Sequence, residues 1–462
     1  MKKQARLRER TLSPWKLAEL PQTETVLLGL SGGADSRALL HLLSEQARRD
    51  GFSVVTAHVN HGIRGDEADR DAAFCKRLAE LYGWEFLSLK ADVPALAKEN
   101  GRSLELEARE VRYAFFRQIM AKRNIRILAT AHHADDNLET VLFRICRGTG
   151  LHGLVGISAS RPFANGMLVR PLLPFSKREI LAFCREEGLE FVIDSTNECA
   201  DCSRNQIRLE VIPPLENRFP SVQNNVYRMT KGLSDDQDFL EREAAAFFES
   251  HFRKGGISAA CLQEAHPAIR RRVIGKMFPK SAEFVHLEAV EELLQKNSSG
   301  ASVSLPGDMC ACLQNGRLLA LPDLRRTADY EAFPLAEGEK LLCDGRLLVS
   351  VSPYDGPCET ECLDRDVYES VCVLNQKTAE GLCFRHRRDG DVMLRHGVKR
   401  QVRRLYREAG VPTAVRDGLP LLCAGNTVLW TPFVGWADDA LTTTGETGDW
   451  LVRVRLLSSL GQ

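Results

Sequence analysis

Ser31-Gly32-Gly33-Ala34-Asp35-Ser36 is the stretch of this 462-residue chain whose residue types most clearly imply chemistry. It follows an apolar run at 25–30 and precedes a helically spaced run at 35–48. Adjacent glycines let the backbone approach a phosphate closely. The free N–H groups at a helix start, with the helix dipole behind them, favour an anion. The hydroxyls of Ser31 and Ser36 can donate to phosphate oxygens. Asp35 would repel bare phosphate, so it points to a bridging Mg²⁺ or to a role in organising the loop. The hexamer lacks the Lys of G-x-x-x-x-G-K-[ST] and the spacing of G-x-G-x-x-G. Read alone, it could still be a Gly-rich turn that binds nothing.

Three more polar clusters sit at element boundaries. His58-Val59-Asn60-His61-Gly62-Ile63-Arg64-Gly65 places two histidines, an amide and a guanidinium at a strand end. His58 and His61 can be plain strand-end histidines, and zinc is disfavoured because no thiolate or acid accompanies them at ligand spacing. Ala131-His132-His133-Ala134-Asp135-Asp136-Asn137-Leu138-Glu139-Thr140 also leads from a strand into a helix. Asp136 and Glu139, three apart, share a helical face. They can cap the helix, bind an ammonium group or bind a metal. Arg109 and Arg112, on a helix read at 103–122 with Ser103 as its N-cap, either pair with Glu105 and Glu110 or reach phosphates. Arg204-Asn205-Gln206-Ile207-Arg208 ends a polar loop of the kind that serves recognition.

The elements that must position these residues alternate. Strand-like runs at 25–30, 54–59, 86–89 and 125–131 are separated by helical runs at 35–48, 66–82, 103–122 and 134–147. Such βα repeats predict an α/β fold, a doubly wound parallel sheet whose ligands bind beyond the strands' carboxyl ends, where these clusters lie. After about 216 the pattern changes. A long helix at 221–252, broken near Gly232, precedes helical runs at 267–278 and 286–295. Turn signals at Pro306-Gly307-Asp308 and Asn315-Gly316 predict a hairpin. The expected organisation is a catalytic domain at 1–218, a small mainly helical domain at 219–340, a linker region at 341–370 and an α/β C-terminal domain at 371–462.

The chain carries 62 basic and 62 acidic side chains, so any polyanion site must be a local patch. No long uncharged apolar run predicts a membrane span, and the basic start is not followed by a signal-peptide core. The 14 cysteines are scattered, mostly in apolar surroundings, as in a reducing, cytoplasmic compartment. Cys199 and Cys202 form one C-x-x-C, too few ligands for a zinc site by themselves.

Taken in order, S-G-G-x-D-S, H-V-N-H-x-x-R-G, E-A-R-x-x-R-Y, A-T-A-H-H-x-D-D-x-x-E-T, R-G-T-G-L-x-G-L and the R-N-x-I-R loop resemble bacterial tRNA(Ile)-lysidine synthases of the PP-loop ATP pyrophosphatase superfamily. The resemblance is dense over 25–215 and returns in the tail at about 388–436, where Val398-Lys399-Arg400-Gln401 stands in place of the usual Gly-Lys-Lys run. It implies ATP with Mg²⁺, free L-lysine and an isoleucine tRNA with a CAU anticodon. ATP adenylates O2 of the wobble cytosine, and the lysine ε-amine then displaces AMP at C2.

The residues fit that chemistry. Ser31, Gly32, Gly33, Ala34, Asp35 and Ser36 can cradle the leaving pyrophosphate, with Asp35 on Mg²⁺. A lysine ammonium, with pKa of about 10.4, must lose a proton before attack. Asp136 and Glu139 are candidates to bind it, or Asp135 by the resemblance. Arg109, Arg112 and Arg208 can offset charge on phosphate or tRNA, and His58, His132 and His133 can contact nucleotide or base. tRNA contacts are expected from Arg64, Arg204 and Asn205, and from Arg387, Lys399, Arg400, Arg403 and Arg404 on a basic helix starting near Val398. A homodimer is compatible with this reading. Two rivals remain at this level: a PP-loop tRNA thiolase using Cys199 and Cys202, and a non-catalytic tRNA-binding protein.

Overall fold

The computed structural model describes residues 25–63, 65–192, 206–253, 255–278, 283–296, 298, 300–327, 329–354, 369–375, 379–438, 440 and 449–457. They fall into two compact units, Met1–Asp238 and Phe239–Gln462.

In the first unit, β1 (Thr25–Gly29), α1 (Ala34–Asp50), β2 (Ser53–Asn60), α2 (Asp66–Tyr82) and β3 (Glu85–Lys90) build one half of a sheet. The chain continues through α3 (Val93–Asn100), α4 (Leu104–Arg123), β4 (Ile127–Ala129), α5 (Ala134–Cys146), the hairpin β5 (Ser160–Phe163) and β6 (Gly166–Val169), and α6 (Lys177–Glu186). The sheet order is β3-β2-β1-β4-β6-β5, parallel except for β5. Side chains of β1 alternate across it. Val26 and Leu28 join a core with Leu39 of α1 and Ile180 of α6, whereas Leu27 faces Phe116 and Met120 of α4. Helices therefore cover both faces, and the doubly wound expectation holds. The chain leaves β1 towards β2 on one side and reaches β4 on the other. That reversal opens a crevice beyond their carboxyl ends.

Ser103 caps α4 as expected, accepting from the N–H of Leu106 at 3.3 Å. The β5–β6 hairpin and α6 are additions to what the sequence pattern predicts. A signal for α6 is nevertheless present: Ser176 Oγ accepts from the Glu179 N–H at 3.3 Å while the Glu179 carboxylate accepts from the Ser176 N–H at 2.9 Å, a capping box.

The long helix Val222–His251 runs through Gly232 without a break. In the second unit, β7 (Gly256–Ser258), β8 (Ser302–Leu305), β9 (Met309–Gln314) and β10 (Arg317–Pro322) form an antiparallel sheet, with the expected turns on either side of β9. All of β9 is buried. Met309, Ala311 and Leu313 face a core with helices Pro267–Met277 and Phe284–Lys296, while Cys312 on the other face joins the core of the tail. This two-faced sheet unites the two expected domains in one compact unit. The tail is sheet-rich, with two short helices among its described residues, in keeping with the expected α/β domain. Leu347–Pro353, inside the span 341–370 expected as a linker, is a strand that pairs with Trp450–Leu456; its Leu-Leu-Val-Ser-Val-Ser alternation buries one face. Among the described residues no helix is long and apolar enough to cross a membrane.

Candidate active site

The phosphate loop is held by its own last residue. Ser36 Oγ accepts from the N–H groups of Ser31 (3.2 Å) and Gly32 (3.1 Å) and donates to the Gly33 carbonyl (3.0 Å). Ser36 is 3% exposed. Ser36 also lies 3.1 Å from the Ser31 hydroxyl, and these contacts shape the loop. Ser31 is exposed and keeps a hydroxyl at the surface. By helix geometry, the first N–H groups of α1, from Ala34 to Ser36, have no intrahelical partner and supply the anion-facing donors. Gly32 sits at φ +86°, and a β-carbon there would meet Cys75 Sγ at 3.1 Å. Burial pushes the Cys75 thiol up to about 12, so beneath the loop it packs as a neutral apolar group.

The loop opens on a cavity of about 440 Å³ lined by Ser31, Gly33, Asp35, His58, His61, Arg112, His132 and Asp136, among others. Its acidic side is centred on His133, which N-caps α5. The His133 ring nitrogens lie 3.5 Å from Asp135, 3.6 Å from Asp136 and 3.7 Å from Asp35. Burial opposes charge on His133, but hydrogen bonding to Asp135 and the fields of Asp136 and Asp35 prevail, and its pKa is raised. Asp136 also accepts from the His133 N–H at 2.9 Å, closing the helix start. Asp135 accepts from the backbone N–H of Lys177 at 2.7 Å; burial works to raise its pKa, but His133 and that N–H bring it below the usual range. Lys177, which no sequence motif marks, places its ammonium 2.7 Å from both Asp35 oxygens.

Two expected site residues pair with each other, and Arg208 also lies 3.7 Å from the cavity-lining Asp136. Arg208 grips Glu139 through Nε (2.5 Å) and Nη2 (2.9 Å). Glu139 is 7% exposed and neither residue lines the cavity. They lie 69 positions apart, so no local pattern announces the pair.

The opposite wall is cationic. Burial, then the fields of Arg170, Arg112 and Arg109, push His132 well below the ordinary histidine value. Burial, Arg112 and His58 bring His61 down to about 4. His58 lies with Nδ1 2.9 Å from the Leu30 carbonyl, which ties β2 to the loop. A depressed histidine pKa favours the neutral form in the folded state. The stability it contributes is complete above about 6.5 and is lost as pH falls towards 4. An NMR titration should find His61 neutral down to about pH 5, and Arg112→Gln should move its midpoint upward; a wild-type midpoint near 6.5 would contradict this electrostatic picture.

Arg64, Arg204, Asn205, Cys199 and Cys202 lie outside the described residues. In the tail, the basic helix expected from Val398 is corrected. Val392–Arg395 and Val398–Gln401 are paired strands joined by His396-Gly397, both at positive φ, so Lys399 and Arg400 belong to a hairpin. The helix is Val402–Glu408. It buries Val402, Leu405 and Tyr406 and exposes Arg403, Arg404 and Arg407. Arg387 is engaged by Asp417 (2.6 Å) and Asp389 (3.1 Å), while Arg400 and Arg404 share Glu408 (3.0 and 2.9 Å). Lys399 and Arg403 are exposed.

The PP-loop domain family matches residues 5–215, and the TilS substrate C-terminal domain family matches residues 382–454. The tRNA(Ile)-lysidine synthase of Clostridium tetani is 30% identical over 429 residues, which cover 88% of this chain and 89% of that protein. The chain belongs to the tRNA(Ile)-lysidine synthase family. A member from Bacillus thuringiensis subsp. konkukian is 29% identical, covering 90% of this chain and 89% of its own. Among solved structures, the U34-tRNA thiolase NcsA of Methanococcus maripaludis is similar at 21% identity and a TM-score of 0.42, covering 50% of this chain and 79% of that one. Residues 31–36 lie within the matched PP-loop domain, and the tail around Arg403 lies within the matched C-terminal domain.

Proposed function

We propose that the chain ligates L-lysine to C2 of the wobble cytidine, C34, of a CAU-anticodon isoleucine tRNA, in the cytoplasm. The reaction runs through a cytidine adenylated on O2 and releases pyrophosphate, then AMP. One observation carries this reading: the phosphate loop and the carboxylate of Asp136 line one cavity, and Asp35 of that loop holds an alkylammonium, that of Lys177. ATP bound with its phosphates on α1's N-terminus presents its α-phosphorus to the cytosine O2. Pyrophosphate leaves into the loop's N–H donors.

The incoming lysine binds with its ammonium against Asp136 or Asp135, gives up a proton to a carboxylate and attacks C2; the C2–O2 bond breaks and AMP departs. His133, placed amid three carboxylates that raise its pKa, fixes their positions. Arg112, the neutral His132 and, beside them, His58 face the base and the phosphate being transferred. Among the described residues no group of three His, Cys, Asp or Glu side chains could hold a metal by itself. Asp35 alone suits Mg²⁺ that completes its shell with phosphate oxygens and water, and the ion would offset the charge of the leaving pyrophosphate. The exposed Lys399 and Arg403, with Arg404, offer phosphate contacts to the tRNA body.

Lys177 offsets Asp35 beside the incoming triphosphate. Lys177→Met is expected to raise the KM for ATP about tenfold, the effect of about 1.4 kcal/mol of weakened binding. An unchanged KM would remove Lys177 from the phosphate site.

The reading is tested by separating the half-reactions. With Mg-ATP and tRNA but no lysine, the chain should release pyrophosphate and accumulate adenylated RNA, and lysine should then discharge AMP. No pyrophosphate release would make the chain a non-catalytic tRNA binder. Adenylated RNA that lysine leaves intact would point to another nucleophile.

A further inference from the structure

Beyond the cavity's cationic wall, the first unit gathers guanidinium groups around two buried rings. Tyr113 is 5% exposed and Phe163 7% exposed, with centroids 5.4 Å apart. The guanidinium carbons of Arg109, Arg112 and Arg161 lie 4.9, 5.8 and 5.9 Å from the Tyr113 ring centre. Arg161 and Arg117 also lie 5.5 and 5.6 Å from the centre of Phe163. Arg170, 5% exposed, donates to the Ser158 carbonyl at 2.6 Å, but its buried Nε has no hydrogen-bond partner.

The fold explains the convergence. Helix α4 runs back along the parallel sheet, so its N-terminal half, with Arg109 and Arg112, lies at the strands' carboxyl edge. Because β5 is antiparallel to β6, Ser160 faces Val169 and Arg161 faces Leu168, which brings Arg161 and Arg170 to that same edge.

Ordinary packing does not account for this group. Among the described residues no carboxylate lies within ion-pair distance of Arg109, Arg112, Arg161 or Arg170. The rings hold Arg109, Arg112 and Arg161 by their faces, but they do not cancel the repulsion between cations. Burial is the main cause that lowers the pKa of Arg170 and of Arg112; Tyr113 opposes it on both and Glu105 on Arg112, while Arg161 and Arg109 add to it on Arg170 and Arg109 adds to it on Arg112. A half-buried set of fixed cations with no carboxylate at ion-pair distance among the described residues, and with one partnerless buried N–H, is organised for an anion that arrives with a ligand. The set is continuous with the cavity, since Arg112, Tyr113 and His132 line it. It starts at the wall away from the carboxylates, which disfavour the same anion.

Resting on the reading that a cytidine is presented to this cavity, we propose that Arg109, Arg112, Arg161 and Arg170 bind the phosphodiester backbone of the RNA strand flanking the target nucleotide. Arginines stacked on aromatic faces, with several N–H donors each, suit successive phosphates of a single strand whose base is turned into the pocket. The clamp would act on the anticodon loop itself, independently of contacts made by the tail.

The test uses the full-length chain and an anticodon stem-loop RNA with the CAU sequence. The double variant Arg109→Gln/Arg161→Gln is expected to weaken stem-loop binding at least tenfold at low salt. It should flatten the dependence of log K on log salt by about 0.7 for each phosphate that is no longer neutralised, while the KM for ATP stays within twofold. Arg161→Lys, which keeps the charge, should retain most of the salt slope. Unchanged binding and slope in the double variant would overturn the inference. So would an increased KM for ATP with stem-loop binding intact, which would assign the cluster to the nucleotide. Failure of the wild-type chain to bind the stem-loop would instead count against the tRNA reading itself.

Discussion

Gly32→Ala is expected to lower tRNA-dependent pyrophosphate release by about a hundredfold or more while leaving the chain folded. The φ of +86° at Gly32 lies in the left-handed region, where an L-residue costs about 1–2 kcal/mol. The new β-carbon would also press on Cys75 Sγ at 3.1 Å. Cys75 is fully buried and cannot retreat, so the loop must shift. Ser36 fastens the N–H groups of Ser31 and Gly32 and the carbonyl of Gly33 to one hydroxyl, and a shift at Gly32 is therefore transmitted to the start of α1, where the anion-facing donors lie. A displacement of some tenths of an ångström is small for the fold. It is large for donors that stabilise a leaving group. Pyrophosphate release within a few-fold of wild type would mean that this loop does not hold the phosphates.

Glu139→Ala should produce the largest loss of stability among substitutions at the expected site residues. It leaves the Arg208 guanidinium without the carboxylate that takes two of its N–H groups. Breaking a buried ion pair on one side costs about 3–5 kcal/mol. The Arg208 side chain is 36% exposed and can partly recover water, so a loss of about 2–3 kcal/mol, below that range, is expected. The pair also fastens the segment Ile207–Val211 to α5, where Leu138, Ile207 and Ile212 form a small core. Thermal melting should fall by roughly 5–10 °C. The double variant Glu139→Met/Arg208→Met should recover much of that loss, because neither charge is left buried alone. Melting of Glu139→Ala within a degree of wild type would show that the pair contributes nothing to the fold.

These two cases mark what can be read from the sequence. The loop at Gly32 is legible because its chemistry is local: an apolar strand, two glycines and a helix start follow one another in the chain. The same is true of Ser103 as a cap and of the turns flanking β9. The Arg208–Glu139 pair, the Lys177–Asp35 pair (142 positions apart) and the meeting of Arg161 and Arg170 with Arg109 depend on strand order, which no local pattern encodes. The antiparallel β5 beside β6, both beyond β4, decides which arginines meet. Other features do carry a local signal that a weaker pattern hides. Ser176 and Glu179 spell the capping box of α6, and His396-Gly397 between apolar residues marks a hairpin where regularly spaced cations imitate a helix. At 347–353, the alternation of apolar and polar residues marks a strand within a span that otherwise resembles a linker.

The most direct test of the central claim is to incubate the purified chain with Mg-ATP, labelled L-lysine and an unmodified CAU-anticodon isoleucine tRNA transcript, and to count label in the RNA. Label that enters the tRNA only with ATP, and not when C34 is replaced by U, is the predicted result. Absence of label in the CAU transcript, with pyrophosphate still released when the tRNA is added, would contradict the account and leave base adenylation followed by attack of a different nucleophile.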